Sequence, residues 1–490
     1  MIKVVVIDDD PTGSQTVRLC PLLLRWDQRS LQLGLRHPSP LLFLLANTRA
    51  MDPEHAQARI RQICAALRQA MAAEQISAQD VILVSRGDST LRGHGVLEPQ
   101  VIEEELGPFD ATLHVPAFLE GGRTTVNGVH LLNGEPVHTT EFARDRLFGY
   151  GTSDLAEWLQ QKSAGNIPAT SVAHLNLTLL EQAAETHHCS AQDSVDQKGV
   201  DQNGDVQDGV VQDDFDPHRS EQQSSVQQGM QRLIIWLEAL HHNRPVVVDA
   251  EQPEQLAVLA EAIRGLRGRK RFLFRSAASL LNGLADQSPQ HPCAELALLR
   301  RKGVANQRIP GLVVVGSHVP LADLQLQELL QEPECEAIEL PVAKLARVFE
   351  GGSPDFLIDD LEAQWRQQLQ QVLASAKTPV LHTSRGELPF ASAAARLRFG
   401  RKLAELMARL SASVADQLGY LISKGGITTH TLLEHGLNLP AVVLQGQLLP
   451  GLSLVCAEME GMDDLPIITF PGNLGDRSTL RKAWELMGAI

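Results

Sequence analysis

Asp8, Asp9 and Asp10 stand side by side at the end of an apolar run, Val4 to Ile7, and are followed by Pro11, Thr12, Gly13 and Ser14. An apolar run closed by turn residues reads as an interior strand of a parallel sheet. Ligands of open α/β sheets bind just beyond the carboxyl ends of such strands. Three adjacent carboxylates repel one another, so a metal, a bound polyol or a nearby Arg must offset them. Asp9 and Asp10 are therefore candidate catalytic groups, able to orient a hydroxyl or take its proton. The competing reading is a solvated acidic turn that caps the next helix.

A second cluster, SRGDSTLRGHGVLE at 85–98, follows another apolar run. Arg86 and Arg92 offer guanidinium forks that match a carboxylate or phosphate. Asp88 lies between them with the Ser89 and Thr90 hydroxyls beside it, and Gly93 and Gly95 permit close backbone approach. That mix suits an anionic, hydroxylated ligand with Asp88 as a catalytic candidate. The same residues would also make a structural Asp88–Arg92 pair within a Ser/Thr turn. A third strand-end loop carries Arg123, Thr124, Thr125 and Asn127, and reads as polar recognition. Asn133-Gly134 predicts the turn of a short hairpin. His130 and His138 lack metal-ligand spacing, and no metal ligand set is assigned.

Toward the C-terminus three strand-end loops are rich in small residues. They are VVVGSHV at 313–319 with Ser317, ISKGGITT at 422–429 with Gly425 and Gly426, and FPGNLG at 470–475 with Gly472 and Gly475. Thr428 or Thr429 is expected to cap the helix after the glycine pair. Helix N-termini of this kind favour phosphates, although the Walker A string is absent. Three such loops in one domain point to a nucleotide pocket.

The elements that must hold these clusters alternate. Strand-like runs at 2–7, 41–45, 81–85, 111–115, 245–248, 271–274, 311–315, 379–382, 419–423, 440–444 and 466–470 are separated by amphipathic stretches such as 54–73, 253–267, 360–375 and 391–412. This predicts the α/β class, as two three-layer domains with largely parallel sheets and a cleft between them. Residues 286–310 read as a linker, which divides the 490-residue chain into 1–304 and 305–490. Within the first domain, 184–230 is rich in Gln, Asp, Ser and Gly and is expected to be a disordered insertion. The net charge of -16 argues against a nucleic-acid partner. No run is apolar for long enough to span a membrane. Six scattered cysteines without a CxxC pair fit a reducing, cytoplasmic setting.

Taken together, these clusters resemble the four-carbon acid sugar kinase family, DUF1537. Its DDxTG motif corresponds to Asp9, Asp10, Thr12 and Gly13, and its DSTLRG motif to Asp88 through Gly93. Its PAF and GRTT segment matches Pro116 to Gly134, TEFARD matches Thr140 to Asp145, and FRSAASLLNGL at 274–284 is similar to the end of the family's first domain. The resemblance implies an N-terminal domain that binds the sugar acid, with Thr12, Gly13, Arg86, Ser89, Thr90, Arg92 and Arg123 as substrate contacts. It implies a C-terminal domain that binds ATP through Ser317, Gly425, Gly426, Ile427, Thr428 and Gly472, with Mg2+ bridging the phosphates. Two positions depart from the family pattern. Ile427 follows the glycine pair where an acidic or polar residue is usual, and Phe470-Pro471 stands where Lys-Ser is usual.

The function expected is transfer of phosphate from ATP to a hydroxyl of a small sugar acid. Asp9, Asp10 or Asp88 would orient that hydroxyl, and Arg86 or Arg92 would hold the carboxylate. The partners expected are the small acid and, as an option, a second copy of the chain in a homodimer. A non-catalytic protein binding sugar acid or nucleotide is the alternative, favoured by Ile427 and Phe470-Pro471. A lyase or isomerase acting without ATP ranks third.

Overall fold

The computed structural model describes residues 3–10, 17–145, 147–185, 217–287, 291–304, 307–350, 355–386, 388–390, 392–457 and 465–488. In chain order the strands are β1 Lys3–Asp8, β2 Cys20–Leu23, β3 Leu41–Leu45, β4 Val81–Arg86, β5 Ala111–Val115, β6 Arg123–Val126, β7 Val129–Leu132, β8 Glu135–Pro136 and β9 Ala173–Leu175. They continue with β10 Arg244–Val248, β11 Phe272–Ser276, β12 Leu312–Val315, β13 Cys335–Leu340, β14 Thr378–Thr383, β15 Leu421–Lys424, β16 Ala441–Leu449, β17 Leu452–Cys456 and β18 Ile467–Phe470. Every apolar run expected to be a strand forms one. β1 is buried at all six positions and rich in β-branched residues, as a strand covered on both faces requires.

Two compact units partition the chain: Met1–Val4 with Ile76–Ser288, and Val5–Gln75 with Pro289–Ile490. In the first unit the strand order is β4-β11-β5-β10-β9, and each of these pairings is parallel. All five carboxyl ends therefore lie on one edge. A separate antiparallel sheet, β6-β7-β8, holds Arg123, Thr124 and Thr125 within its first strand, where a strand-end loop was expected. Asn133 and Gly134 form its second turn with φ of 51° and 85°, both in the left-handed region that a tight hairpin demands. Leu91, Val96, Tyr150, Leu155, Trp158 and Leu159 pack together as one apolar cluster that includes part of the 87–96 loop.

In the second unit the order is β13-β14-β12-β15-β18-β17-β16-β2-β3-β1. β13, β14, β12, β15 and β18 pair in parallel, whereas β17, β16 and β2 run antiparallel to their neighbours as far as β2, which pairs with β3 in parallel. The parallel block again gathers its loops on one edge, and Val313, Val315, Ile422, Ile468, Phe470 and Trp484 fill the core beneath. Among the described residues no helix is long and apolar enough to cross a membrane.

Two expectations need correction. Residues 217–230 belong to a helix, Pro217–Glu238, rather than to a disordered segment. The helix continues past them into QRLIIWLE, whose Leu233 and Leu237 are fully buried. Residues 184 and 185 likewise end a helix, and the remainder of the expected insertion, 186–216, lies outside the described residues. The expected linker, 286–310, is partly packed. Its Ala294–Leu299 turn of 3-10 helix buries Ala297 in the core, and Arg300 donates to the Met487 and Gly488 carbonyls at 3.2 and 3.4 Å. Ala297 and, in part, Leu296 supply that packing, while Leu298 and Leu299 stay exposed.

Candidate functional site

The acidic cluster ends β1, and Arg49 pairs with two of its carboxylates, Asp9 and Asp10. The loop after β3 is pinned to it by backbone bonds: Ala46 and Asn47 donate to the Asp8 carbonyl at 2.8 and 3.3 Å, and Arg49 donates to the Asp9 carbonyl at 3.2 Å. The Arg49 guanidinium then grips both oxygens of Asp9, at 2.6 Å from Nη2 and 3.3 Å from Nε, and one oxygen of Asp10 at 3.3 Å from Nη1. Asp9 is fully buried, while Asp10 keeps 19% of its side chain exposed. The sequence demanded a counter-charge here but did not single out Arg49. Its only signal was its place in another strand-end loop. Thr12 and Gly13 lie outside the described residues.

Asp10 also reaches the glycine pair of the second unit. A Cβ placed on Gly426 would stand 3.3 Å from its carboxylate. Gly425 has φ of 118°, closed to ordinary L residues, and a Cβ there would meet the Ser317 backbone nitrogen at 3.2 Å. A Cβ on Gly472 would stand 2.5 Å from Ser317 Oγ. Ser317, Gly425, Gly426 and Gly472 are thus brought together, with Asp10 beside them. Thr428 packs against Gly316. Thr429 donates back to the Ser423 carbonyl and hydroxyl at 3.1 and 2.9 Å. Neither therefore caps the helix Gly426–Thr431 as expected; Gly425 holds the cap position without a side-chain bond. Ile427 is half exposed.

Besides Arg49, sequence reasoning missed two further cations in this unit. Lys424 ends β15, is fully buried, and donates from Nζ to the Pro471 carbonyl at 3.0 Å. Arg385, in the loop after β14, donates from Nη1 to the Ser317 carbonyl at 2.6 Å and lies 3.1 Å from Asp323.

In the first unit Asp88 and Arg92 pair, with Nε to Oδ2 at 2.6 Å, and Thr90 donates to the same oxygen at 2.5 Å. The structural pair weighed from sequence is present. It uses one edge of the guanidinium, whose face lies 5.0 Å from the Phe142 ring centroid. The loop is held from below: Tyr150 donates to the Thr90 carbonyl at 2.6 Å, and His130 Nε2 donates to the Ser89 carbonyl at 2.7 Å. Thr125 Oγ1, 3.0 Å from His130 Nδ1, then serves as its donor. Burial pushes His130 down to about 4, which keeps it neutral.

Arg123 is half-buried, and burial lowers its pKa while the Asp88 charge opposes that shift. Its hairpin is anchored by Asp249, a fully buried carboxylate that accepts from the Asn127 and Gly128 backbones at 3.0 and 2.8 Å and lies 3.0 Å from His174. Asp249 follows β10 as Asp88 follows β4, but stood in no recognised motif. Ser89, Thr90 and Arg86 are all buried.

A concavity of about 380 Å³, part of it open to solvent, is lined by Asp88, Arg92, His114, Trp158, Arg275 and Ala277 among others. Arg86 and Arg123 are not in that lining. His114 Nδ1 and Trp158 Nε1 are buried and have no hydrogen-bond partner among the described residues. Burial, with the Arg275 charge adding to it, pushes His114 down to about 3. Arg275 is committed to Glu98 at 2.5 Å and to Ser85 at 2.7 Å, and supports the floor. No group of three or more His, Cys, Asp and Glu side chains among the described residues is arranged to hold a metal ion.

Comparison with known proteins matches residues 4–284 to the family described as sugar-binding N-terminal domain, and residues 312–480 to the family described as nucleotide-binding C-terminal domain. A D-threonate kinase from Salmonella typhimurium is 23% identical over 500 aligned positions, covering 98% of this chain and 97% of the relative. A D-erythronate kinase from Heliobacterium modesticaldum is 27% identical over 192 residues, 37% of this chain and 42% of that protein, so this match spans under half of the relative. Among solved structures, a Salmonella typhimurium protein described as a putative tRNA synthase gives a TM-score of 0.59 at 16% identity, covering 99% of both chains. A Haemophilus influenzae protein of family DUF1537 gives 0.56 at 15% identity, again covering 99% of both. These two share the fold.

Proposed function

Because this chain belongs to the family built from a sugar-binding N-terminal domain and a nucleotide-binding C-terminal domain, we propose that it is an ATP-dependent kinase that phosphorylates a hydroxyl of a four-carbon sugar acid. The observation that carries this reading is the Asp88–Arg92 cluster on its concavity, which offers a carboxylate, a guanidinium and two orphaned polar atoms together. A hydroxyl both donates and accepts, so it suits an indole N–H beside a neutral imidazole nitrogen. The names of the two curated relatives favour a threonate- or erythronate-like acid.

In this reading Arg92, with Arg123 nearby, takes the substrate carboxylate. Among the described residues Arg92 hydrogen-bonds through Nε, which leaves its Nη groups for a ligand. Asp88 orients the attacking hydroxyl and accepts its proton. Asp9 is engaged on both oxygens by Arg49 and acts as a structural anchor, whereas Asp10 remains beside the glycine pair as a second candidate. Ser317, Gly425, Gly426 and Gly472 offer close backbone approach to the phosphates of Mg-ATP. The five described cysteines are free, which accords with action in the cytoplasm.

The test is ADP release with Mg-ATP and a panel of four-carbon sugar acids, for the wild type, Asp88→Asn and Arg92→Met. We expect turnover on one acid, lowered about 100-fold or more by Asp88→Asn, and a raised KM for the acid in Arg92→Met. Near-normal rates in both variants would remove this assignment.

A further inference from the structure

Lys424 stands where three loops of the second unit meet. Its own carbonyl accepts from the Gly316 and Ser317 backbones at 3.1 and 3.3 Å. Its Nζ binds the Pro471 carbonyl at 3.0 Å and lies 3.8 Å from the centroid of the Phe470 ring, and Gly425 donates to the Phe470 carbonyl at 2.8 Å. β15 and β18 pair in register with Lys424 opposite Phe470. Among the described residues no carboxylate pairs with this ammonium. A fully buried charge without a counter-ion is costly, and an apolar side chain would fill the same space more stably. A carbonyl and an aromatic face stabilise the cation only partly.

We propose that Lys424 is the positioning cation of the nucleotide site, fixing the Ser317 and Pro471-Gly472 loops against each other and finding its counter-charge in the phosphates bound there. This rests on the reading that the second unit binds a nucleotide. Lys424 is fully buried, so it acts through the loops and through its charge rather than by touching the nucleotide. Other charged or titratable groups around these loops are Asp10 beside Gly426, Arg385 and His318 around Ser317, and His430 on the helix after Gly425. Burial pushes the Lys424 ammonium down to about 7. Near pH 8 much of it is then neutral, and an incoming polyphosphate draws a proton onto it. His318 is held below its ordinary value by burial and by Arg385, so it remains neutral at that pH.

Calorimetric titration of the full chain with Mg-ADP in buffers of different ionisation enthalpy counts that proton. At about pH 8 the wild type should take up close to one proton per nucleotide, roughly. Lys424→Met should bind about tenfold more weakly or worse, take up none, and melt no lower than the wild type. Wild-type binding without proton uptake overturns the proposal, as does Lys424→Met binding with unchanged affinity and uptake. Absence of any Mg-ADP binding by the wild type would instead remove the nucleotide reading itself. If Lys424→Met fails to fold, the wild-type proton count still decides.

Discussion

Arg49 supplies positive charge to two carboxylates of the acidic cluster. It binds Asp9 twice and Asp10 once, and Asp9 has no access to water. Arg49→Ala removes the guanidinium that engages both oxygens of the buried Asp9 carboxylate and should lower stability by about 3–5 kcal/mol. Asp9→Asn combined with Arg49→Ala should cost less than the sum of the two single changes, which denaturant unfolding of all three variants measures. His130 gives a second prediction at this scale. Its folded value of about 4 lies below the 6.5 of a free imidazole. The unfolded chain therefore binds the extra proton, and stability falls as pH drops from 6.5 toward 4. His130→Gln should flatten that part of the stability-versus-pH curve. The acidic triad was legible in the sequence because three adjacent carboxylates need an explanation. Its partner was not, because Arg49 lies 40 positions away and only the fold closes that distance. Lys424 was hidden likewise: it reads as an ordinary residue before a glycine pair. Yet in register it faces Phe470, one of the two positions that depart from the family pattern.

Among the elements, the loops at strand ends carry the proposed site, and the strands fix which loops meet. Gly425 is the position to test, because its φ of 118° strains any L side chain and the Ser317 nitrogen, 3.2 Å from a Cβ there, would crowd it. Gly425→Ala should cost on the order of 1–3 kcal/mol and weaken nucleotide binding more than acid binding, as parallel titrations would reveal. The β6-β7-β8 hairpin makes a matching case in the first unit. Asp249→Ala removes the acceptor for two backbone N–H groups of the Asn127-Gly128 turn. Under the proposed function it should raise KM for the acid through Arg123 while changing kcat less, and steady-state kinetics separate the two. The Asn133-Gly134 turn was readable from its residue types alone. β2, β9, β13 and β17 were not: β2 and β9 are short, β13 alternates polar residues at a sheet edge, and β17 follows a tight turn that blurs into β16. The packed 3-10 turn at Ala294–Leu299 was misread because flanking Pro and Gln residues mask one short apolar patch.

At the scale of the whole chain, alternating apolar runs and amphipathic stretches were enough to give the α/β class. The parallel pairings then follow, since buried strands with helical crossovers lie side by side. What periodicity could not reveal is that residues 5–75 pack with residues 289–490, because only tertiary contacts assign a segment to its unit. The central claim is phosphoryl transfer to a sugar acid, and the most direct test is to follow the phosphorus. The full chain is incubated with γ-labelled Mg-ATP and each four-carbon sugar acid, and the products are resolved by phosphorus NMR and mass spectrometry. The account predicts label on a hydroxyl oxygen of one acid, formed together with ADP and slowed about 100-fold or more in Asp88→Asn. An acid that binds tightly while no label leaves ATP for it would contradict the account, and would make the chain a binding protein rather than a kinase.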